Sequence, residues 1–156
     1  MAAQVEQLFE VHILGFPLAV FERSRRHMEE LTREFEFIAE SGGEQATPAR
    51  LLALVERVGL RFAGLNDLAE VRVDDALARG DESLDVVYRV PAAASDACRE
   101  LDAMLDEADE FCREGELLTL ATPADQVAFR RWFLDQFVQQ LSGNPPTRWP
   151  GTAEPA

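Results

Sequence analysis

From Leu8 to Leu14 the apolar residues Phe9, Val11 and Ile13 alternate with Glu10 and His12, the two-residue period of a half-buried strand, and Gly15 and Pro17 end it. Pro17 fits the first turn of a following helix, where its missing N–H is no loss. Leu18, Phe21, Met28, Leu31, Phe35 and Ile38 then recur at spacings of three, four or seven, which draws one apolar stripe along a helix closed by Ser41-Gly42-Gly43. Thr47-Pro48 reads as a cap plus first-turn proline, opening a second helix to about Phe62 that Gly64 interrupts. A shorter helix is predicted from Asp67 to Arg79, with Asn66 as its cap and Gly80 as its stop.

The segment Asp85–Val90 has strand chemistry, is cut off by Pro91, and is a candidate to pair with the first strand. A long helix is expected from Pro91 to Arg113, with Cys98 and Cys112 on one inner face, and Gly115 ends it. Leu117–Leu120 reads as a short extended piece. Thr122-Pro123 repeats the cap-plus-proline device, with Asp125 placed for a capping box. The last helix carries Val127, Phe129, Trp132, Phe133, Leu134, Phe137, Val138 and Leu141, more than one stripe, which predicts burial on two sides, inside the bundle or against a second subunit. The expected fold class is mainly α, a bundle of four to five helices with a small two- or three-stranded β element, α+β being the alternative. Residues 1–143 read as one helical domain and residues 144–156, with four prolines in thirteen residues, as an extended tail.

Composition narrows the function classes. At 156 residues and 47% apolar content the chain can bury one core. Its 29 acids against 15 bases give a formal charge of −14, and every base is Arg; the Lys-free, Ala- and Arg-rich usage points to a high-GC bacterial source. A field of that sign repels phosphate backbones and anionic headgroups, which disfavours nucleic acid and membrane surfaces as partners. No window is long and apolar enough for a spanning helix, the first residues lack the basic start and apolar run of a leader, and a cytoplasmic protein is expected. Cys98 and Cys112 are too far apart along one helix to bridge and read as reduced core thiols.

Candidate chemistry is sparse. Asp102, Asp106, Asp109 and Glu110 recur at helical spacing, but no Glu-x-x-His pair accompanies them, so they read as a solvated acidic face, with no metal site. His12 and His27 are the only histidines, and neither implies a catalytic triad; surface or helix-packing roles fit both. The thiols lack a CxxC pattern and an adjacent basic cluster, and their neighbourhood is strongly acidic. Gly-x-Gly-x-x-Gly and Walker A patterns are absent, and no cofactor is expected. The unusual feature is the basic spot of Arg23, Arg25 and Arg26 near a helix start, where cations oppose the dipole. Glu22 and Glu30 can offset it within the helix; alternatively, it docks an acidic partner. Arg130 and Arg131 form a similar pair, with Asp135 available to Arg131, and Trp149 is an apolar anchor on the tail. These six residues are the candidate partner-binding positions.

Together, HILGFP with the helix ending ELTREFEFI, the segment DVVYRVP, GELLTLATP followed by AFRRWFLDQFV, and the closing PPTRWPG resemble an uncharacterised family of high-GC bacterial proteins. That family is associated with operons encoding partner-switching regulators, anti-sigma kinases and their STAS-domain antagonists. The chain has neither a kinase's Asn-bearing helix and Asp-x-Gly-x-Gly loop nor a STAS antagonist's Asp-Ser-Ser-Gly-like turn. The resemblance therefore implies a third component, a non-catalytic regulatory protein that binds an anti-sigma kinase or STAS-domain protein; the surplus apolar face of the last helix favours a homodimer or a hetero-complex. The alternative reading is a small-molecule sensor, with Phe35, Phe129, Trp132, Phe133 and Phe137 enclosing a pocket in the bundle.

Overall fold

The structure is a computed structural model and describes residues 6–41, 46–115, 117 and 120–151. Among them the order is β1 (Leu8–Pro17), α1 (Leu18–Ser41), α2 (Thr47–Arg61), α3 (Asp67–Arg79), β2 (Ser83–Pro91), α4 (Ala94–Glu114) and α5 (Ala124–Leu141). The fold is mainly α, five helices with a two-stranded antiparallel sheet of β1 and β2. Gly42-Gly43, expected to close α1, lies outside the described residues, as do residues 118 and 119 of the expected extended piece; the Leu120 N–H donates to the Leu117 carbonyl at 2.9 Å. No described helix is long and apolar enough to cross a membrane.

β1 does not stop at Gly15. Ile13 pairs with Val86 and Phe16 with Leu84, so β1 carries one extra residue opposite Asp85. Gly15 sits in this bulge at φ +70° and donates its N–H to Asp85 Oδ1 at 2.8 Å. Strict alternation would turn Phe16 to solvent after Val11 and Ile13 face inward. The bulge re-aims it, and all three are fully buried. Phe16 then meets Phe21, Phe129 and Phe133 at ring separations of 4.9, 5.7 and 5.8 Å.

Both free edges of the short sheet are closed by side-chain amides, which satisfies backbone groups that would otherwise invite pairing. On β1, Gln140 Oε1 accepts from the His12 N–H and Gln140 Nε2 donates to the His12 carbonyl, both at 2.8 Å. On β2, Asn66 Oδ1 accepts from the Arg89 N–H at 2.9 Å. Asn66 does precede α3, but this side chain serves the strand and makes no cap bond. The two threonine caps are also corrected: Ala46 and Pro123 occupy the cap positions, and Thr47 and Thr122 point to α4 instead. Gly80 does end α3, at φ +77°. α4 starts at Ala94 because Pro91 is still paired with Leu8.

The tail from Asn144 to Gly151 has no regular structure, yet it is tied down. The Trp149 N–H donates to the Leu14 carbonyl, Trp132 Nε1 donates to the Thr147 carbonyl, and the Thr147 N–H donates to Gln136 Oε1, each at 2.9 Å. Arg148 crosses Gly15, where an added Cβ would lie 3.1 Å from its guanidinium.

Two apolar clusters result. The sheet-side cluster joins Val11, Ile13, Phe16, Leu18, Val73, Ala76, Val86, Val90, Phe129 and Phe137. The helix-side cluster joins Leu31 and Phe35 of α1, Leu51 and Leu54 of α2, and Met104, Leu105, Ala108 and Cys112 of α4. α1 and α4 run through both, so the two cysteines part company: Cys112 is in the helix-side core and Cys98 borders the sheet-side one.

Candidate functional site

Where the sheet-side cluster reaches the surface it leaves an apolar cleft of about 350 Å³, at the small end of ligand-pocket volumes. Residue size explains why it stays open. Ala94 and Ala97 in the first two turns of α4, with Gly59, Ala63 and Gly64 around the α2–α3 turn, line it together with the rings of Phe62, Tyr88, Phe133 and Phe137. The small side chains leave space that the larger ones do not fill. The turn is held by Gly64 at φ +76°, by the Phe62 N–H on the Val58 carbonyl, and by the Asn66 clamp on β2.

The rings are mutually fixed. Tyr88 lies 5.7 Å from Phe133 and 5.6 Å from Phe137, and Phe133 lies 5.2 Å from Phe137, all edge to face. The Tyr88 phenol is pushed up to about 12 by burial, with the Glu70 carboxylate adding to the effect, so it stays a neutral hydroxyl at pH 7. The Cys98 thiol on the α4 wall is pushed up to about 12 by burial. A thiol held protonated is a poor nucleophile and a poor metal ligand. The cleft therefore offers apolar contact, a neutral hydroxyl and a neutral thiol, with Asn66, Asp67 and Glu70 among its lining residues.

The fold divides the five aromatics of the sensor reading between different surroundings. Phe133 and Phe137 line the cleft. Phe129 and Trp132 pack with Trp149, and Phe35 belongs to the other cluster with Phe111. Tyr88, Phe62 and Cys98 were not anticipated there. The alternation Val86, Tyr88, Val90 placed Tyr88 on the inner face of β2, but nothing local showed that alanines of α4 would line the same cleft.

The arginines divide sharply. Arg130 is 8% exposed and is enclosed by α4: Nε donates to Asp102 at 3.0 Å, Nη2 to Asp106 at 2.5 Å, and Nη1 lies 3.6 Å from Asp109. It is not a free docking cation, and the acidic row on α4 is not simply solvated, since Asp109 is 3% exposed. Asp109 also accepts from the N–H and hydroxyl of Thr122 at 2.9 and 2.7 Å, and that hydroxyl lies 3.4 Å from Nε2 of the buried His27. Among the described residues no group of His, Cys, Asp and Glu is arranged to hold a metal ion.

Arg131 turns outward and reaches across to Asp106 at 2.9 Å, while Asp135 accepts from Gln139 rather than serving Arg131. Arg23 pairs with Asp125, Arg25 with Glu22, and Arg26, the most exposed of the three, also with Glu22. Trp149, expected as a partner anchor, packs edge to face against Trp132 at 5.2 Å and anchors its own tail. Of the six positions Arg130 is buried and Trp149 is half-buried against α5, and the other four are surface charges with partners of their own. No family model matches the chain, and no significant match to it is found among curated proteins or solved structures.

Proposed function

We propose that the protein is a regulatory binding module that takes a small apolar molecule into the cleft between the α2–α3 turn, β2, α4 and α5. The observation that carries this reading is the cavity itself, about 350 Å³ of mostly apolar space walled by fixed aromatic rings. Its groups suit binding rather than bond-making, because the thiol and phenol in the wall are both held neutral. The direct test uses the neutral fluorophore N-phenyl-1-naphthylamine. A saturable fluorescence rise that disappears in Ala97→Phe, with the far-UV spectrum unchanged, is the expected result. No rise in the wild type, or a rise indifferent to the filled cleft, removes the reading.

A second reading, binding to a protein partner, is favoured by a different observation. Leu60, Leu68 and Val71 stand 73%, 74% and 53% exposed at the end of α2 and on α3, next in sequence to cleft residues. Large apolar side chains in water on the helices that frame a cleft suit a face whose partner affinity depends on occupancy. Together with the resemblance to a family from partner-switching operons, this supports a role as a cytoplasmic accessory component of a sigma-factor circuit. Arg23, Arg25, Arg26 and Arg131 remain its candidate polar contacts. Pull-down of an anti-sigma kinase or STAS-domain protein, weakened by Leu68→Ser with Val71→Ser, is the expected outcome; capture unaffected by those changes sinks this face.

A further inference from the structure

We propose that the cleft is selective for a hydrophobic amine, whose apolar body occupies the cavity while its protonated nitrogen sits at the mouth beside Asp67 and Glu70. This rests on the cleft being a ligand site and adds the chemical class of the ligand. The charged residues lining the cleft are all acidic. Asp67 and Glu70 lie one turn apart at the start of α3, and neither forms an ion pair among the described residues. With 29 acids to 15 arginines, many carboxylates of this chain stand unpaired; these two are set apart by lining an apolar cleft. Arg25 borders the neighbouring hollow with Glu70 and Tyr88, but its guanidinium is engaged by Glu22 at 2.6 Å and faces Asp74 at 3.8 Å.

The positive end of the α3 dipole lets the two carboxylates stand without a cation while the site is empty. Behind them, the rings of Tyr88, Phe133 and Phe137 line the apolar space that the body of the ligand would fill. The Tyr88 hydroxyl has no hydrogen-bond partner among the described residues, and its oxygen can accept from an N–H. The net charge of −14 raises the local concentration of cations and repels anions. A carboxylate or phosphate ligand would meet acidic groups with no arginine in the lining.

Three naphthalene probes of matched size separate the ligand class from the site: 1-naphthylmethylamine, 1-naphthylmethanol and 1-naphthoate, titrated by calorimetry at pH 7 and low salt. The amine is expected to bind about five- to tenfold more tightly than the alcohol, a margin suited to two exposed carboxylates, with the acid weakest. Asp67→Asn with Glu70→Gln should bring amine and alcohol to within about twofold while leaving the alcohol's affinity alone. Glu34→Gln with Glu36→Gln, a pair on α1 away from the cleft, should preserve the amine's advantage and so exclude a mere effect of net charge. Amine and alcohol binding equally, or an advantage that survives loss of both mouth carboxylates, overturns the selectivity while leaving the site. Failure of all three probes to bind overturns both.

Discussion

The two apolar clusters are built from similar residue types, yet one is closed and the other is open. In the helix-side cluster, Leu31, Phe35, Leu51 and Cys112 are each 0–1% exposed, and α1, α2 and α4 bring apolar side chains to meet from three sides. The sheet-side cluster is just as dry at Val11, Ile13 and Phe16, but at Tyr88, Phe133 and Cys98 its packing thins into the cleft. The cleft is lined by Gly59, Ala63, Gly64, Ala94 and Ala97 among its larger side chains, and small residues at a boundary leave space there. Stability should therefore be concentrated in one cluster and binding in the other.

The largest expected effect tests that division directly. Phe35→Ala opens a cavity in the closed cluster and should cost about 3–5 kcal/mol of unfolding free energy in urea, whereas Phe133→Ala, half-buried at the cleft wall, should cost roughly half as much and alter probe binding instead. Equal losses would erase the contrast. Next comes the joint between α4 and α5. Arg130→Ala strips the cation from Asp102, Asp106 and the buried Asp109 and should cost about 3–5 kcal/mol. Arg131→Ala, whose pair with Asp106 is exposed, should cost under about 1 kcal/mol. The two substitutions are one residue apart, so a similar loss in both would mean that the buried network is not what fastens the helices.

Gly15→Ala is expected to cost about 1–3 kcal/mol, because the residue sits at φ +70° and the new methyl would press on Arg148. Its second readout is release of the tail, seen as a red shift of tryptophan emission when Trp149 leaves Trp132. Loss of stability without that shift would detach the tail from the bulge.

The smallest effect concerns the thiols. Both are held protonated in the fold, Cys98 up to about 12 and Cys112 up to about 11, against an ordinary value of 9.0. Below pH 9 both states carry the proton and stability does not depend on it. Above pH 9 the unfolded chain ionises first, so stability falls as pH rises, until about 11 for Cys112 and 12 for Cys98. Cys98→Ala should make that alkaline decline shallower. At pH 8 an aromatic disulfide reagent should modify Cys98 through the cleft before Cys112, and 1-naphthylmethanol should slow only the first phase. Modification at equal rates would mean that both clusters open together.

Most of the element order was legible because helical and strand periodicities are local. The stripe of Leu18, Leu31 and Phe35 and the alternation of Val11 and Ile13 each identify an element without reference to the rest of the chain. Errors arose where a side chain had a local and a distant use. Asn66, Thr47 and Thr122 look like helix caps, but Asn66 closes the β2 edge while the threonines reach Glu107 and Asp109 on α4. Gly15 and Pro17 look like a strand stop, and the extra residue becomes a bulge only because β2 lies alongside.

By itself the sequence determined the kinds of element, their order, a mainly α fold with a small sheet, and a strongly acidic chain. Tertiary structure alone decided which arginine is buried. Arg130 and Arg131 are adjacent and chemically identical, and only the approach of α4, 28 residues earlier at Asp102, turns one into an internal joint. It also decided where the core fails to close. A cavity is a property of two opposed surfaces, and its walls come from segments as distant as Phe62 and Phe137, whose separation no local pattern records.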